Sequence, residues 1–200
     1  MDNKNSFFAR SKDILIPTVV IMAICVVVTA ALAGTNLLTE SKIDAIEDKQ
    51  QQESMSEVLK ADKYEDIDIV SGREYKALDK SGKVIGYIFV TSEKGYGGDV
   101  KVMTGIKTDG TVTAVKVLDA TSETPGLGQN TGKEDWYKQF SRLSADKEIK
   151  VDKNSASKPD NTVRAVTGAT ISSKAVTKAV NSARERFNEI IKNEEAGKDE

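Results

Sequence analysis

The chain has 200 residues and a net charge of −2, with no histidine and a single cysteine, Cys25. The lack of histidine excludes an imidazole general base and any histidine-containing catalytic triad, and one cysteine permits neither an intrachain disulfide nor a cysteine-ligated zinc or iron–sulfur site. We therefore expect no metal site, and because the chain has no sustained basic stripe we expect no nucleic-acid partner.

A charge-free stretch near the N-terminus predicts a transmembrane helix over residues 14–38. It exceeds the about 20 apolar residues that a helix needs to cross a membrane. Basic residues precede it and mostly acidic residues follow it, so the positive-inside rule places residues 1–13 in the cytoplasm and the rest of the chain outside the cell membrane. A cleaved signal peptide is the alternative, because Ala31-Leu32-Ala33 resembles a cleavage site, but a signal-peptide core has only about 7–15 residues.

The region after the apolar stretch changes character twice. Residues 39–72 are rich in Gln, Glu and Lys, which predicts a juxtamembrane linker or helical stalk. From residue 73 onward, short runs rich in β-branched residues predict strands. Two hairpins are expected, with turns at residues 79–82 and 109–110, since Asp and Gly between such runs favour tight turns.

The next part of the chain mixes loops with short elements. A glycine-rich loop is expected over residues 122–132, and the spacing of Trp136 and Phe140 indicates a short amphipathic helix. Short strands are expected at residues 148–152 and 163–166, where apolar residues interrupt a polar sequence.

A long amphipathic helix is predicted from Ser172, followed by a flexible tail over residues 193–200. Its apolar stripe has helical spacing and consists of Val176, Val180, Ala183, Phe187 and Ile190. The predicted fold class is therefore α+β, with one N-terminal transmembrane helix and a small extracytoplasmic domain, residues 73–192, of antiparallel strands with packed helices.

The stretch AVTGATISSKAV places small residues and hydroxyls directly before this helix. Gly168 and Ala169 leave the backbone open beside Thr170, and the N-terminus of a helix offers unpaired N–H groups and a positive dipole end that suit a phosphate. Ser172 and Ser173 are placed to cap the helix or to bond phosphate oxygens. The alternative is a plain helix cap, for which a threonine followed by two serines is a common pattern.

A second motif, ETPGLG, begins at Glu123 and predicts a tight turn. Proline fixes φ and glycine permits close approach of the backbone. Such a turn can press against a flat ring while Glu123 and Thr124 bond the polar edge of that ring. Taken alone, the motif favours an ordinary surface turn, and it matches neither of the standard phosphate-binding glycine patterns.

These motifs, taken in order along the chain, resemble a known family. The order is KGYGGDVKVMTGI, DG, SETPGLGQ, W-x3-F and TGATISS. It is similar to the G subunit of the Rnf ion-translocating ferredoxin:NAD oxidoreductase, to which the C subunit of the sodium-translocating NADH:quinone reductase is related. The last stretch resembles the flavin-attachment signature of FMN-binding domains, S/T-G-A-T-x-S/T. The resemblance covers residues 73–190, and the N-terminal anchor agrees with it.

The resemblance implies a redox component of a membrane complex that couples electron transfer to Na⁺ or H⁺ translocation together with other Rnf subunits. It also implies that a flavin transferase moves the FMN part of FAD onto Thr170, which makes FMN a covalent cofactor. The matching positions assign the flavin site to Thr167, Gly168, Ala169, Ile171 and Ser172 of the attachment motif, and to Glu123, Thr124, Pro125, Gly126 and Leu127 of the turn.

One position departs from the family pattern, since Thr121 stands where many relatives carry histidine. The role of residues 96–98 is left unassigned. Flavin electron transfer needs neither histidine nor cysteine from the protein, because the cofactor carries the redox chemistry. Two other functions stay open: a membrane-anchored binding or scaffold module without a cofactor, and a self-contained flavin reductase, which the lack of an obvious second cofactor site disfavours.

Overall fold

The computed structural model describes residues 3–67, 73–153 and 161–196, and within the first helix it describes side chains only at residues 15–35 and from residue 51 onward. The chain divides into two compact units, the first ending at Gln50 and the second beginning at Gln51. Helix α1, Asn3–Val58, therefore supplies residues to both units. The charged side chains predicted to flank the membrane segment lie outside the described set.

The apolar part of α1 is long enough to cross a membrane. Within the described residues, Leu15–Thr35 is the one segment that qualifies, with 21 residues, a mean hydropathy of 2.7 and no buried residue. It falls inside the predicted range of residues 14–38. The helix itself begins at Asn3, so Pro17 lies inside the helix.

The second unit is built on a five-stranded antiparallel sheet with the strand order β1-β2-β3-β4-β5. The strands are β1, Lys63–Asp66; β2, Glu74–Leu78; β3, Val84–Lys94; β4, Asp99–Lys107; and β5, Val112–Asp119. Both predicted hairpins are confirmed. In the two turns Gly82 and Gly110 adopt φ values of +80° and +79°, which a residue without a β-carbon tolerates easily.

Strand β1 lies within the range that the sequence predicted as a linker or stalk. Its sequence, KYED, has no alternating apolar pattern, so it carries no strand signal of its own. In the structure all of its residues but Tyr64 are exposed. Its pairing with β2, from Lys63 opposite Leu78 to Asp66 opposite Tyr75, makes it an edge strand of the sheet. The folded domain thus begins before residue 73.

The sheet is covered on both faces. In β3, Tyr87 and Phe89 point into a core shared with the last helix of the chain, whereas Ile88 and Val90 belong to a second core on the opposite face. The second core is closed by Met55, Val58 and Leu59, at and just beyond the end of α1. Gly105 of β4 permits this close approach, because a β-carbon there would lie 2.7 Å from the carbonyl oxygen of Val58.

The segment after the sheet agrees with the sequence in outline. It contains a 3₁₀ helix over Gly128–Gly132, helix α2 at Glu134–Tyr137, a second 3₁₀ helix over Lys138–Phe140, and strands β6, Lys150–Asp152, and β7, Thr162–Arg164. The predicted loop is therefore irregular only in its first part. Strands β6 and β7 pair in parallel and form a separate small sheet.

Helix α3, Thr170–Ala196, packs its predicted apolar stripe against the main sheet. It begins two residues before Ser172, the predicted start, and it continues into the predicted tail, of which residues 197–200 lie outside the described set. Its last turn is tied to the sheet, because the Tyr87 hydroxyl donates to Glu194 at 2.9 Å. On the same helix, the Asn181 side chain accepts from the N–H of Ile149 and donates to its carbonyl, both at 2.9 Å.

Candidate functional site

A cleft of about 520 Å³ lies where three segments of the second unit meet. It is lined by Tyr96 from the turn between β3 and β4, by Thr124, Leu127 and Gly128 from the loop after β5, and by residues 168–172 at the start of α3. The structure thus brings together the two motifs that the sequence singled out. The volume falls within the range of about 300–1,000 Å³ that is usual for small-molecule sites.

The attachment motif forms the tight entry into α3. Gly168 has a φ of +78°, and the N–H of Ala169 donates to the carbonyl of Val166 at 3.0 Å, which closes the turn. The N–H of Ser173 then donates to the carbonyl of Ala169 at 3.0 Å. The N–H groups of Thr170 and its two successors precede this first helical bond, so they have no carbonyl partner within the helix, and all three residues line the cleft.

The hydroxyls of this first turn have different surroundings. The Ser173 hydroxyl donates to the carbonyl of Ala169 and accepts from the N–H of Val166, both at 2.9 Å, and so stabilises the turn. The Ser172 hydroxyl is buried and donates to the carboxylate of Glu123. The Thr170 hydroxyl lines the cleft, and within the described residues it has no hydrogen-bond partner.

The Glu123 side chain lies behind the wall of the cleft. Its side chain is only 1% exposed and points into the protein, where one carboxylate oxygen accepts from the Gly97 N–H at 3.0 Å and the other from Ser172. Burial alone raises the pKa of this carboxyl, but the bonds from Ser172 and from the amides of Tyr96, Gly97 and Gly98 together outweigh burial and lower the pKa below its ordinary value. Glu123 is therefore an ionised bridge between segments and does not line the cleft.

Glycines surround this bridge and explain the stretch KGYGG, which the sequence left unassigned. A β-carbon at Gly128 would lie 2.5 Å from a carboxylate oxygen of Glu123, and one at Gly98 would lie 2.6 Å from the β-carbon of Ser122. A β-carbon at Gly95 would overlap the Glu123 carboxylate. The backbone can approach the buried carboxylate this closely only where side chains are absent.

The turn ETPGLG has the geometry that its sequence predicts. The N–H of Leu127 donates to the carbonyl of Thr124 at 3.1 Å, and Gly126 has a φ of +74°, as expected for proline and glycine in the middle of a type II turn. The two ends of the turn, Thr124 and Leu127, line the cleft. Pro125 and Gly126 are exposed and lie outside the cleft lining.

Apolar side chains flank the cleft. Tyr96, Leu127 and Ile171 are 70%, 44% and 54% exposed. Exposed apolar groups around a concave site are typical of ligand binding. Leu127 and Ile171 are among the residues predicted for the site, whereas Tyr96 is not, although an aromatic residue set between glycines is a signal in the sequence.

Two further positions fall outside the cleft. Thr167 is exposed and lines a separate shallow groove beside Trp136 and Arg164. Thr121 donates through its N–H and its hydroxyl to Asp119 at 2.8 Å, at the exposed end of β5. Within the described residues, no three Cys, Asp, Glu or His side chains lie close enough together to hold a metal ion.

Comparison with known proteins gives consistent matches. Residues 95–185 match the FMN-binding domain family, and residues 4–58 match the RnfG N-terminal region. The chain is 31% identical over 192 residues to the G subunit of the Na(+)-translocating ferredoxin:NAD(+) oxidoreductase complex of Acetobacterium woodii, covering 86% of this chain and 91% of that protein. It is 34% identical over 185 residues to the G subunit of the ion-translocating oxidoreductase complex of Methanosarcina acetivorans, covering 86% and 94%.

The fold has a relative among solved structures. The crystal structure of NqrC from Shewanella oneidensis superposes with a TM-score of 0.53 at 22% identity and covers 60% of each chain. At this identity the likeness supports the fold alone. It agrees with the α+β class predicted from the sequence, in which an antiparallel sheet is packed against helices.

Proposed function

The chain belongs to the family of G subunits of ion-translocating oxidoreductase complexes, and we propose that it carries electrons within such a complex through an FMN attached covalently to Thr170. The complex named for its relatives couples electron transfer to ion translocation. In this proposal the chain is one redox component of the complex and does not catalyse the overall reaction alone.

The features of the cleft fit FMN. Its volume of about 520 Å³ suits a ligand of this size. Free N–H groups at the start of a 27-residue helix suit the phosphate. The exposed apolar faces of Tyr96, Leu127 and Ile171 suit a flat aromatic ring. These two kinds of surface correspond to the phosphate and the ring of one flavin mononucleotide.

The chain's own residues have distinct parts in this site. Thr170 would hold the phosphate covalently, with the N–H groups of the first helical turn beside it. Gly168 and Ala169 leave the backbone uncovered next to Thr170, and Tyr96, Leu127 and Ile171 would pack on the ring and exclude water from it. When bound, FMN supplies the redox chemistry by accepting and passing on electrons.

Attachment is a group transfer from FAD. The hydroxyl oxygen of Thr170 forms a bond to the flavin-side phosphorus, the pyrophosphate bond breaks, AMP leaves and the hydroxyl proton is released. A flavin transferase is the partner that this step needs. The observation that carries the proposal is the Thr170 hydroxyl itself, which lines the cleft and has no hydrogen-bond partner within the described residues.

The proposal also assigns a membrane location. Leu15–Thr35 would anchor the chain in the bilayer beside the other subunits of the complex. The basic residues before it support a cytoplasmic N-terminus, with the FMN domain on the extracytoplasmic side. Protease added to right-side-out cell vesicles should then cleave the domain. A domain protected from the protease would indicate the opposite orientation.

In-gel fluorescence tests the attachment. The protein is purified from its native host, denatured and run on a gel beside Thr170→Ala, Thr170→Ser and Thr124→Ala variants. We expect flavin fluorescence in the wild type, none in Thr170→Ala, and retained or partial fluorescence in Thr170→Ser, which keeps a hydroxyl. Thr124→Ala is the matched control, because it removes another cleft-lining threonine, and it should stay fluorescent.

Two results would contradict the proposal. A fluorescent Thr170→Ala band would move the attachment to another residue. A dark wild-type band from cells that contain the transferase would leave a membrane-anchored binding module without a cofactor as the better description.

A further inference from the structure

The buried carboxylate of Glu123 lies directly behind the wall of the cleft. One of its oxygens accepts from the Ser172 hydroxyl, and a β-carbon at Gly128 would lie 2.5 Å from the same oxygen. Both Ser172 and Gly128 line the cleft. The carboxylate is therefore separated from the cleft by a single layer of protein.

No cation neutralises this carboxylate within the described residues. All its partners there are dipoles: the Ser172 hydroxyl and the backbone amides of Tyr96, Gly97 and Gly98. These bonds favour the ionised form of the carboxyl. A full negative charge thus stays in a region that water does not reach, where charges interact more strongly than at a surface.

A fixed negative charge opposes the arrival of electrons next to it. Each electron delivered into the cleft adds negative charge that must coexist with the Glu123 carboxylate, and the layer of protein between them screens that repulsion less than water does. Because the carboxylate also bonds Ser172 and Gly97, it fixes the first turn of α3 and the Tyr96 turn on two sides of the cleft.

From this geometry we propose that Glu123 is a positioning residue whose buried charge lowers the reduction potential of the FMN held in the cleft. The inference rests on the proposed function, since it requires a flavin at this place. It assigns Glu123 an electrostatic role that needs no contact with the flavin, in contrast to the direct bond that the sequence suggested.

Redox titration of the purified, flavin-bearing protein tests the proposal through two variants with opposite expectations. Glu123→Gln keeps the shape of the side chain and removes the charge, so the midpoint potential should shift upward. Ser172→Ala keeps the charge and removes one of the dipoles that offset it, so the potential should shift downward. If Glu123 only held the loops in place, the two variants would not be expected to shift the midpoint potential in opposite directions.

A matched control and a measurement without flavin complete the test. Glu148→Gln removes an exposed glutamate and should leave the potential unchanged. In protein produced without the transferase, carboxyl NMR of Glu123 should show a titration midpoint below the about 4.3 of an ordinary glutamate.

The outcomes separate the two proposals. An unlabelled wild type refutes the proposed function. A labelled wild type whose potential matches that of Glu123→Gln refutes the role of Glu123. If Glu123→Gln does not fold, either of two other results refutes that role. One is an upward shift of the midpoint potential in Ser172→Ala, and the other is an NMR titration midpoint of Glu123 at or above that of an ordinary glutamate.

Discussion

The first turn of α3 and the middle of the same helix meet the rest of the domain in different ways. In the middle, Val176, Val180 and Phe187 are buried against the sheet, and the Phe187 ring lies 5.8 Å from that of Tyr87 in an edge-on arrangement. In the first turn, three of the four side chains are hydroxyls, Gly168 lies just before the turn, and a cleft remains. One helix thus has a part that stabilises the fold and an end that is available for chemistry.

This division follows from elementary physics. Apolar burial is proportional to the area removed from water and favours the closest packing, so the middle of α3 leaves no space for a ligand. The end of a helix always has backbone N–H groups without helical partners, which must be satisfied by something else. Substitutions at the two places should therefore affect stability and flavin attachment separately.

The largest expected loss of stability comes from the middle of the helix. Phe187→Ala removes a ring that is 3% exposed and leaves a cavity beside Tyr87, which should cost about 3–5 kcal/mol of unfolding free energy. Thermal unfolding of the full chain in detergent measures the loss. Where the variant is still folded, it should carry flavin on Thr170. A stable Phe187→Ala protein that is not labelled would remove the distinction between the two parts of α3.

The next largest effect is the pH dependence of stability that the Glu123 carboxylate produces. The folded pKa of this carboxyl lies below its unfolded value of about 4.3, so its stabilisation is present above that value and is lost as pH falls through the folded pKa. At neutral pH the unfolding free energy of the wild type should exceed that of Glu123→Gln by about 1.5–3 kcal/mol. This difference should disappear as the pH falls below about 4. Unfolding of both proteins in denaturant from pH 3 to 7 measures that gap, and one that stayed constant would mean that no charge is involved.

Substitution of a glycine near the cleft should reduce stability by a smaller amount, because it displaces the turn that bonds Glu123. A β-carbon at Gly97 would overlap the carbonyl oxygen of Ser122, so Gly97→Ala must displace the turn that bonds Glu123, at about 1–3 kcal/mol. Gly132→Ala is the matched control, because no atom lies within 4 Å of a β-carbon there, and it should be nearly neutral. Equal unfolding midpoints for the two variants would show that the turn is not constrained.

The sequence predicted those parts of the fold that depend on local pattern. The two hairpins and the apolar stripe of α3 have periodicities and turn residues that are visible within a few positions. Strand β1 was not predicted, because its pairing with β2 and not its own composition makes KYED a strand. The same limit applies to Glu123. Its motif was recognised, but the direction of its side chain depends on Ser172 and Gly97, which are far from it in the chain.

The smallest effect on stability should come from the residue on which the proposed function depends. The Thr170 side chain is half-buried and has no hydrogen-bond partner within the described residues, and alanine is a better helix former than threonine. In protein purified from cells without the transferase, the unfolding free energy of Thr170→Ala should therefore stay within about 0.5 kcal/mol of that of the wild type. Ser173→Ala, by contrast, loses two bonds and should cost about 1 kcal/mol. If Thr170→Ala were instead the more destabilised of the two, its loss of flavin would reflect a damaged helix start, and attachment at the Thr170 hydroxyl would need another proof.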